Sequence, residues 1–312
     1  MKVVFFGTPE FAVESLDAII QSPRHQVAAV VTVPDRPAGR GQKVVYSAVK
    51  QYALDHNLPL LQPEKLRDPE FLEALASYGA DIFVVVAFRM LPEAVWNMPP
   101  RCTFNLHASL LPRYRGAAPI NWAIMQGEKQ SGVTTFLLNH YIDEGSILLQ
   151  EATPLAPDET AGSLHDRLAA MGRGLVVRTL DGIADGTITP QPQQGDPCPA
   201  PKIFKDDCRI DFHHTCAEID RQVRGLAPYP AATLTLVNPD GEEVPFKVYE
   251  VTTSQDPVDA CGTLICDAKK VLKISAADGF VQIICLQMSG KRKNSVEDFL
   301  RGNNVSNWKL KI

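Results

Sequence analysis

Five short apolar runs, at residues 3–6, 27–33, 59–62, 82–88 and 102–106, alternate with helical patterns through the first third of this chain. The runs are continuously apolar, which is what strands covered on both faces require. Phe11, Ser15, Leu16, Ile19 and Ile20 recur at helical spacing after Gly7-Thr8-Pro9, and further helices are predicted at 47–56, 68–78 and 92–96. Thr8 is expected to cap the first helix, with Pro9 as its first residue. Strand–helix alternation of this kind admits few folds, and the expectation is an α/β domain on a Rossmann-like, mostly parallel sheet. A helix near 117–126, a hairpin of 133–139 with 146–151, and a long helix from Thr160 to about Ile183 complete this half.

The pattern then changes. Pro190, Pro192, Pro197, Pro199 and Pro201 punctuate a Gln-rich stretch, read as an extended linker over 189–206 between a domain at 1–188 and another at 207–312. Beyond it a short helix at 216–225 precedes strand patterns at 233–237, 246–252, 263–266, 271–275 and 280–286. Five short strands after a helix suit a smaller OB-like β-barrel or a plain antiparallel sheet.

Several function classes are excluded early. The longest wholly apolar run spans only 82–88, far below the roughly 20 residues a membrane-spanning helix needs. The opening residues reach a turn at Gly7 too soon for a signal peptide, and the seven cysteines are scattered without a C-x-x-C, as in a reducing cytoplasm. No metal site is readable, because the adjacent His213 and His214 diverge on a helix. Gly7 lacks the two further glycines that admit a dinucleotide pyrophosphate. Ser109 sits in no G-x-S-x-G elbow, which argues against a serine hydrolase.

Chemistry concentrates in one stretch. Asn105 and His107, two apart at the end of an apolar strand, share a face, and an amide beside an imidazole suits a developing oxyanion and a proton transfer. Asp143, in the turn of the later hairpin, could orient His107 if that hairpin packs beside the Asn105 strand; backbone capping is its simpler role. Two basic stretches stand apart: Arg36, Arg40, Lys43 and Lys50 on a glycine-bearing loop, and a tail with Lys291, Arg292, Lys293, Arg301, Lys309 and Lys311. The chain as a whole carries a net charge of −5, so any nucleic-acid partner must be held by such local patches.

These residues resemble the methionyl-tRNA formyltransferases, a branch of the folate-dependent formyltransferases, essentially from end to end. The resemblance is carried by GTPEFA (7–12), PDRPAGRG (34–41), VVVAFRMLP (84–92), NLHASLLPRYRGAAPINWAI (105–124), IDEG (142–145) and KIFKDDCRIDF (202–212). It implies formyl transfer from 10-formyltetrahydrofolate to the α-amino group of methionyl initiator tRNA, without a metal. Asn105 and His107 would donate to the oxyanion while Asp143 holds His107 and helps relay the proton. Ser109, Leu110, Leu111 and Pro112, with Phe88, Arg89 and Leu91, would line the folate pocket. Arg36, Arg40 and Lys43 would reach the acceptor end of the tRNA, with Lys291, Arg292 and Lys293 on an OB-like second domain. Phe88-Arg89-Met90 stands where many relatives have Tyr-Gly-Leu. The expected state is a cytoplasmic monomer. A small amine acceptor, such as an amino sugar nucleotide or a purine-pathway ribonucleotide, keeps the same active site, and a non-enzymatic RNA-binding scaffold is the third reading; presence of all three candidate catalytic residues argues against the last.

Overall fold

A computed structural model describes residues 1–38, 43–258 and 260–311. Strand β1 (Lys2–Gly7) is wholly buried beyond its first residue, and Gly7 ends it because an added Cβ would lie 2.7 Å from the Phe5 ring and 2.8 Å from the Ala12 methyl. Helix α1 (Glu10–Gln21) follows, burying Phe11, Ala12, Ser15, Leu16, Ala18 and Ile19 along one stripe. Its N-cap is Pro9 with no side-chain cap bond. The expected Thr8 cap is therefore corrected: the helix begins one residue later, which makes Pro9 the capping residue and leaves Thr8 outside it.

The sheet grows from β1 in both directions. On one side lie β2 (Gln26–Val31) and β5 (Leu60–Leu61), after a short antiparallel hairpin of β3 (Arg36–Ala38) and β4 (Lys43–Val45). On the other lie β6 (Ile82–Val86) and β7 (Cys102–His107), all parallel to β1, and then antiparallel β9 (Gln130–Leu137) and β10 (Ile147–Pro154). The order is β10-β9-β7-β6-β1-β2-β5, so the chain reverses its direction of growth between β1 and β6. Helices α2 (Ala48–Asp55), α3 (Pro69–Ser77), α4 (Glu93–Trp96) and α6 (Ala161–Asp185) accompany it, with Ser47 and Asp68 capping α2 and α3 through their side chains. Strand β6 stops at Val86, short of the expected 88, because Ala87 turns to φ 47°.

Two compact units result. The first comprises Met1–Pro119, Gln130–Pro154 and His165–Ala200. The Pro-rich stretch enters it in extended form: Gln191 exchanges two backbone hydrogen bonds with Ile147, and β11 (Cys198–Ala200) pairs with β8 (Arg113–Gly116).

The second unit comprises Ile120–Lys129, Leu155–Leu164 and Pro201–Ile312. Helix α5 (Pro119–Met125) lies almost wholly within it, where Asn121 Nδ2 donates to Gly225 O at 2.7 Å. Helix α7 (Cys216–Leu226) opens on a capping box of Thr215 and Glu218. It packs on an antiparallel, nearly closed OB-like barrel of β12 (Ala232–Val237), β13 (Glu243–Ser254), β14 (Leu264–Cys266), β15 (Leu272–Ser275) and β16 (Phe280–Met288), extended by β17 (Asn294–Ser295) and β18 (Lys309–Leu310). Alternation along β12, buried at Ala232, Leu234 and Leu236, shows a half-buried strand. Ile219, Val223, Phe246, Val248, Ile283 and Leu286 form the core, with Phe299 and Leu300 from α8 (Val296–Gly302).

Candidate active site

Ligands of open α/β sheets sit beyond the carboxyl ends of the strands, where the order reverses. Here that edge carries Gly7, the 87–91 turn and the end of β7. Pairing of Asn105 with Val85 and of His107 with Thr134 sets both side chains in register at this edge. His107 is 7% exposed and lies edge-on to the buried Phe136 ring. Its Nε2 lies 2.7 Å from the carbonyl oxygen of Tyr114, which can only accept, so Nε2 carries the proton. The other nitrogen, Nδ1, stands 3.8 Å from Asp143 Oδ2. That gap is too long for a direct hydrogen bond and leaves Nδ1 open to a third group. Asn105 Oδ1 is buried with no partner among the described residues.

Both partners of His107 come from backbone in the left-handed region. Tyr114 has φ 62° and Asp143 φ 55°. Asp tolerates this conformation, whereas a bulky Tyr adopts it only where its surroundings hold it. Between them, Gly116 at φ 120° donates its N–H to Asp143 Oδ2 at 2.8 Å. A Cβ at Gly116 would lie 2.7 Å from Ala200 O, so only glycine allows β8 to approach β11 there. In the Asp-Glu-Gly turn the glycine is equally constrained, because a Cβ on Gly145 would lie 1.6 Å from Leu137 O.

The loop after β7 is fastened from below. Thr134, wholly buried on β9, donates to Ser109 O at 2.6 Å and accepts from Leu111 N at 3.3 Å and Gln150 Nε2 at 2.9 Å. Gln150 also donates to Leu111 O, and Ser109 Oγ donates to Arg113 O at 2.6 Å. Leu111 is buried and Leu110 half-buried, while the Leu111–Pro112 bond is cis. Ser109 thus spends its hydroxyl on the loop. On the neighbouring turn Phe88 packs against Phe6, Leu91 is buried, and Arg89 donates to the carbonyls of Pro63 and Glu64. Met90, Tyr141 and Ile142 are exposed around this edge.

The basic candidates lie elsewhere. Arg36 and Lys43 belong to the β3–β4 hairpin, and Arg40 falls outside the described residues. The base of that hairpin is held by Lys50, whose Nζ lies 2.5 Å from Asp35 Oδ2. Lys50 and a hydrogen bond from Gln62 hold the Asp35 carboxyl below its ordinary range. Lys291, Arg292 and Lys293 are exposed in the turn between β16 and β17, with Lys293 Nζ 4.5 Å from the Tyr249 ring centre. Arg301 and Lys311 are spent on ion pairs with Glu297, Asp298 and Glu243. No group of acidic, His or Cys side chains suited to a metal occurs among the described residues.

Three residues at this edge carry no sequence signal. Thr134 and Gln150 read as ordinary strand residues, and Gln193 as linker. Nothing local marks them.

Models of two protein domains match the chain, "Formyl transferase" over residues 1–180 and "Formyl transferase, C-terminal domain" over 202–304. The chain belongs to the formyl transferase family. Within it, a methionyl-tRNA formyltransferase of Bacteroides fragilis is 49% identical over 97% of this chain and 95% of its own length. One of Bacteroides thetaiotaomicron is 48% identical over 98% and 97%. An N-formyltransferase from Helicobacter canadensis, solved with folinic acid and dTDP-3-aminofucose, shares the fold at 20% identity with a TM-score of 0.64, over 94% of this chain and 100% of that one. The formyltransferase fold expected from the motifs is the fold observed, and the chain is a folate-dependent enzyme of this family.

Proposed function

We propose that this formyltransferase moves the formyl group of 10-formyltetrahydrofolate onto the α-amino group of methionyl initiator tRNA, giving N-formylmethionyl-tRNA for translation initiation. The observation that carries the acceptor is similarity at 49% identity across 97% of the chain to a relative of that name, covering the PDRPAGRG loop and the second unit alike. The N-formyltransferase solved with dTDP-3-aminofucose shares the fold at only 20% identity.

The chemistry follows from the edge of β7. The substrate ammonium first gives up a proton through His107 Nδ1, the nitrogen facing Asp143, and the carboxylate stabilises the imidazolium so formed. The free amine then attacks the formyl carbon. A C–N bond forms, the carbonyl electron pair moves to oxygen, and the Asn105 amide and the protonated His107 donate to that oxyanion. When the tetrahedral intermediate collapses, the bond to N10 breaks, N10 takes a proton from the attacking nitrogen, and His107 gives its proton up to solvent. Ser109, Leu110, Leu111 and Pro112, with Phe88, Arg89 and Leu91, line the pocket for the folate donor. Arg36, Arg40 and Lys43 meet the acceptor end of the tRNA, and Lys291, Arg292 and Lys293 meet its phosphates from the unit that we take to begin near residue 207. The enzyme works as a monomer in the cytoplasm, where seven unpaired cysteines stay reduced.

The test is formyl transfer with charged initiator tRNA and free small amines in parallel. Transfer to the charged tRNA alone is expected. Transfer to a small amine alone would keep the site and discard the tRNA roles.

A further inference from the structure

The Asp-Glu-Gly turn is held by a segment that reads as a spacer. Gln193, half-buried in the Pro-rich stretch, donates through Nε2 to Asp143 O at 2.8 Å and to Gly145 O at 2.9 Å. Its Oε1 accepts from Arg115 Nε at 3.1 Å and Nη2 at 2.8 Å. The remaining arm of Arg115 donates to Glu144 Oε1 at 2.9 Å. The Asp143 carboxylate in turn accepts from Gly116 N, one residue beyond Arg115. One amide side chain therefore joins the backbone on both sides of Glu144 to the strand that supplies the partner of Asp143.

This brace bears directly on Asp143. At φ 55° its backbone is in a region where L residues are disfavoured, and its carboxylate must keep a 3.8 Å separation from His107 Nδ1. The two bonds from Gln193 Nε2 hold the carbonyls of Asp143 and Gly145, and so the backbone on both sides of Glu144 from which the Asp143 side chain departs. Gln193 is itself placed by the extended segment that Gln191 pins to Ile147 through two backbone bonds.

We propose that Gln193, braced by Arg115, is a positioning residue for Asp143, so that the Pro-rich segment is part of the active site. This rests on the reading that Asp143 serves proton transfer at His107. The role acts on the chemical step and not on donor binding, because Gln193 touches the turn and not the loop at 109–112.

Gln193→Glu tests it. The substitution keeps the shape and the acceptor facing Arg115 but replaces both donors to the turn with an oxygen. Misplacement of a proton-transfer group by about 1 Å is worth about a hundredfold in rate. The expected result is a kcat lowered by about ten- to a hundredfold, with KM for the formyl donor unchanged and a shifted acid limb in the pH profile of kcat. Combined with Asp143→Asn, measured in single turnover with enzyme in excess, Gln193→Glu should cost nothing further. An unchanged kcat, or a loss that multiplies on Asp143→Asn, overturns the inference. Asp143→Asn that turns over like the parent overturns instead the reading beneath it. Should Gln193→Glu not fold, Gln193→Ala carries the same expectations and the same refutations.

Discussion

At the scale of single residues, this site is defined by which polar atoms the fold uses and which it leaves. His107 has one nitrogen committed to the Tyr114 carbonyl and one facing Asp143 across 3.8 Å, while Ser109 is committed to the Arg113 carbonyl. The imidazole is thus fixed in tautomer by a backbone acceptor, and a carboxylate waits on its other side. Asn105 Oδ1 is left without a partner among the described residues. Asn105→Ala should lower kcat by about 10²–10³, the usual loss for one oxyanion donor, with little change in stability. Steady-state kinetics beside a thermal melt would check it, and an active Asn105→Ala enzyme would remove the amide from the mechanism. The pair Asn105/His107 is legible in sequence because strand periodicity puts two residues two apart on one face. The acceptor on Tyr114 is not, since nothing in a side-chain pattern announces that a Tyr backbone will sit at φ 62°.

At the scale of elements, the loop after β7 owes its shape to β9. Thr134→Val keeps the volume and removes the hydroxyl, leaving the Ser109 carbonyl and the Leu111 N–H without that partner. It should cost about 1–3 kcal/mol of stability and raise KM for the formyl donor, read by denaturant unfolding and kinetics. A second element carries a pH dependence. In the turn between β14 and β15, Asp267 accepts from the backbone N–H groups of Val271, Lys269 and Lys270, each at 2.8 Å, which pushes its carboxyl down to about 2 from 3.8. A carboxyl lowered in the folded state stabilises it above the unfolded value and loses that contribution as pH falls through the folded one. Asp267→Asn should therefore lower the melting temperature at neutral pH, and the difference should close between about pH 4 and 2. A difference undiminished at pH 2 would contradict this origin.

At the scale of the whole molecule, charge decides how a polyanion can be held. The net charge is −5, and the region from residue 206 onward has 13 Lys/Arg against 15 Asp/Glu. Any grip on tRNA then belongs to patches. Arg301 and Lys311 are already engaged by carboxylates, which leaves the exposed turn of Lys291, Arg292 and Lys293 as the better placed patch. Replacing all three by Ala should weaken binding of charged tRNA and reduce the slope of log affinity against log salt by about 2–3, because each cation withdrawn from a phosphate means one counterion fewer released on binding. Binding measured across a salt series checks it, and an unchanged slope would place the phosphate-binding cations elsewhere. No helix among the described residues is long and apolar enough to cross a membrane.

The features legible in the chain alone are local and repetitive. Continuous apolar runs dictated a buried parallel sheet and 3.6-residue spacing its helices, since each depends on neighbours within a few residues, whereas the one start read from a cap, Thr8, shifted by a residue. The site motif was legible for the same reason. Only the tertiary structure decided that α5 and Leu155–Leu164 pack with the second unit, that Tyr114 supplies the acceptor for His107, and that Gln193 fastens a turn fifty residues before it. Such contacts join residues far apart in the chain through single hydrogen bonds, and a lone Gln between prolines has the same local pattern whether it faces water or the carbonyl of Asp143.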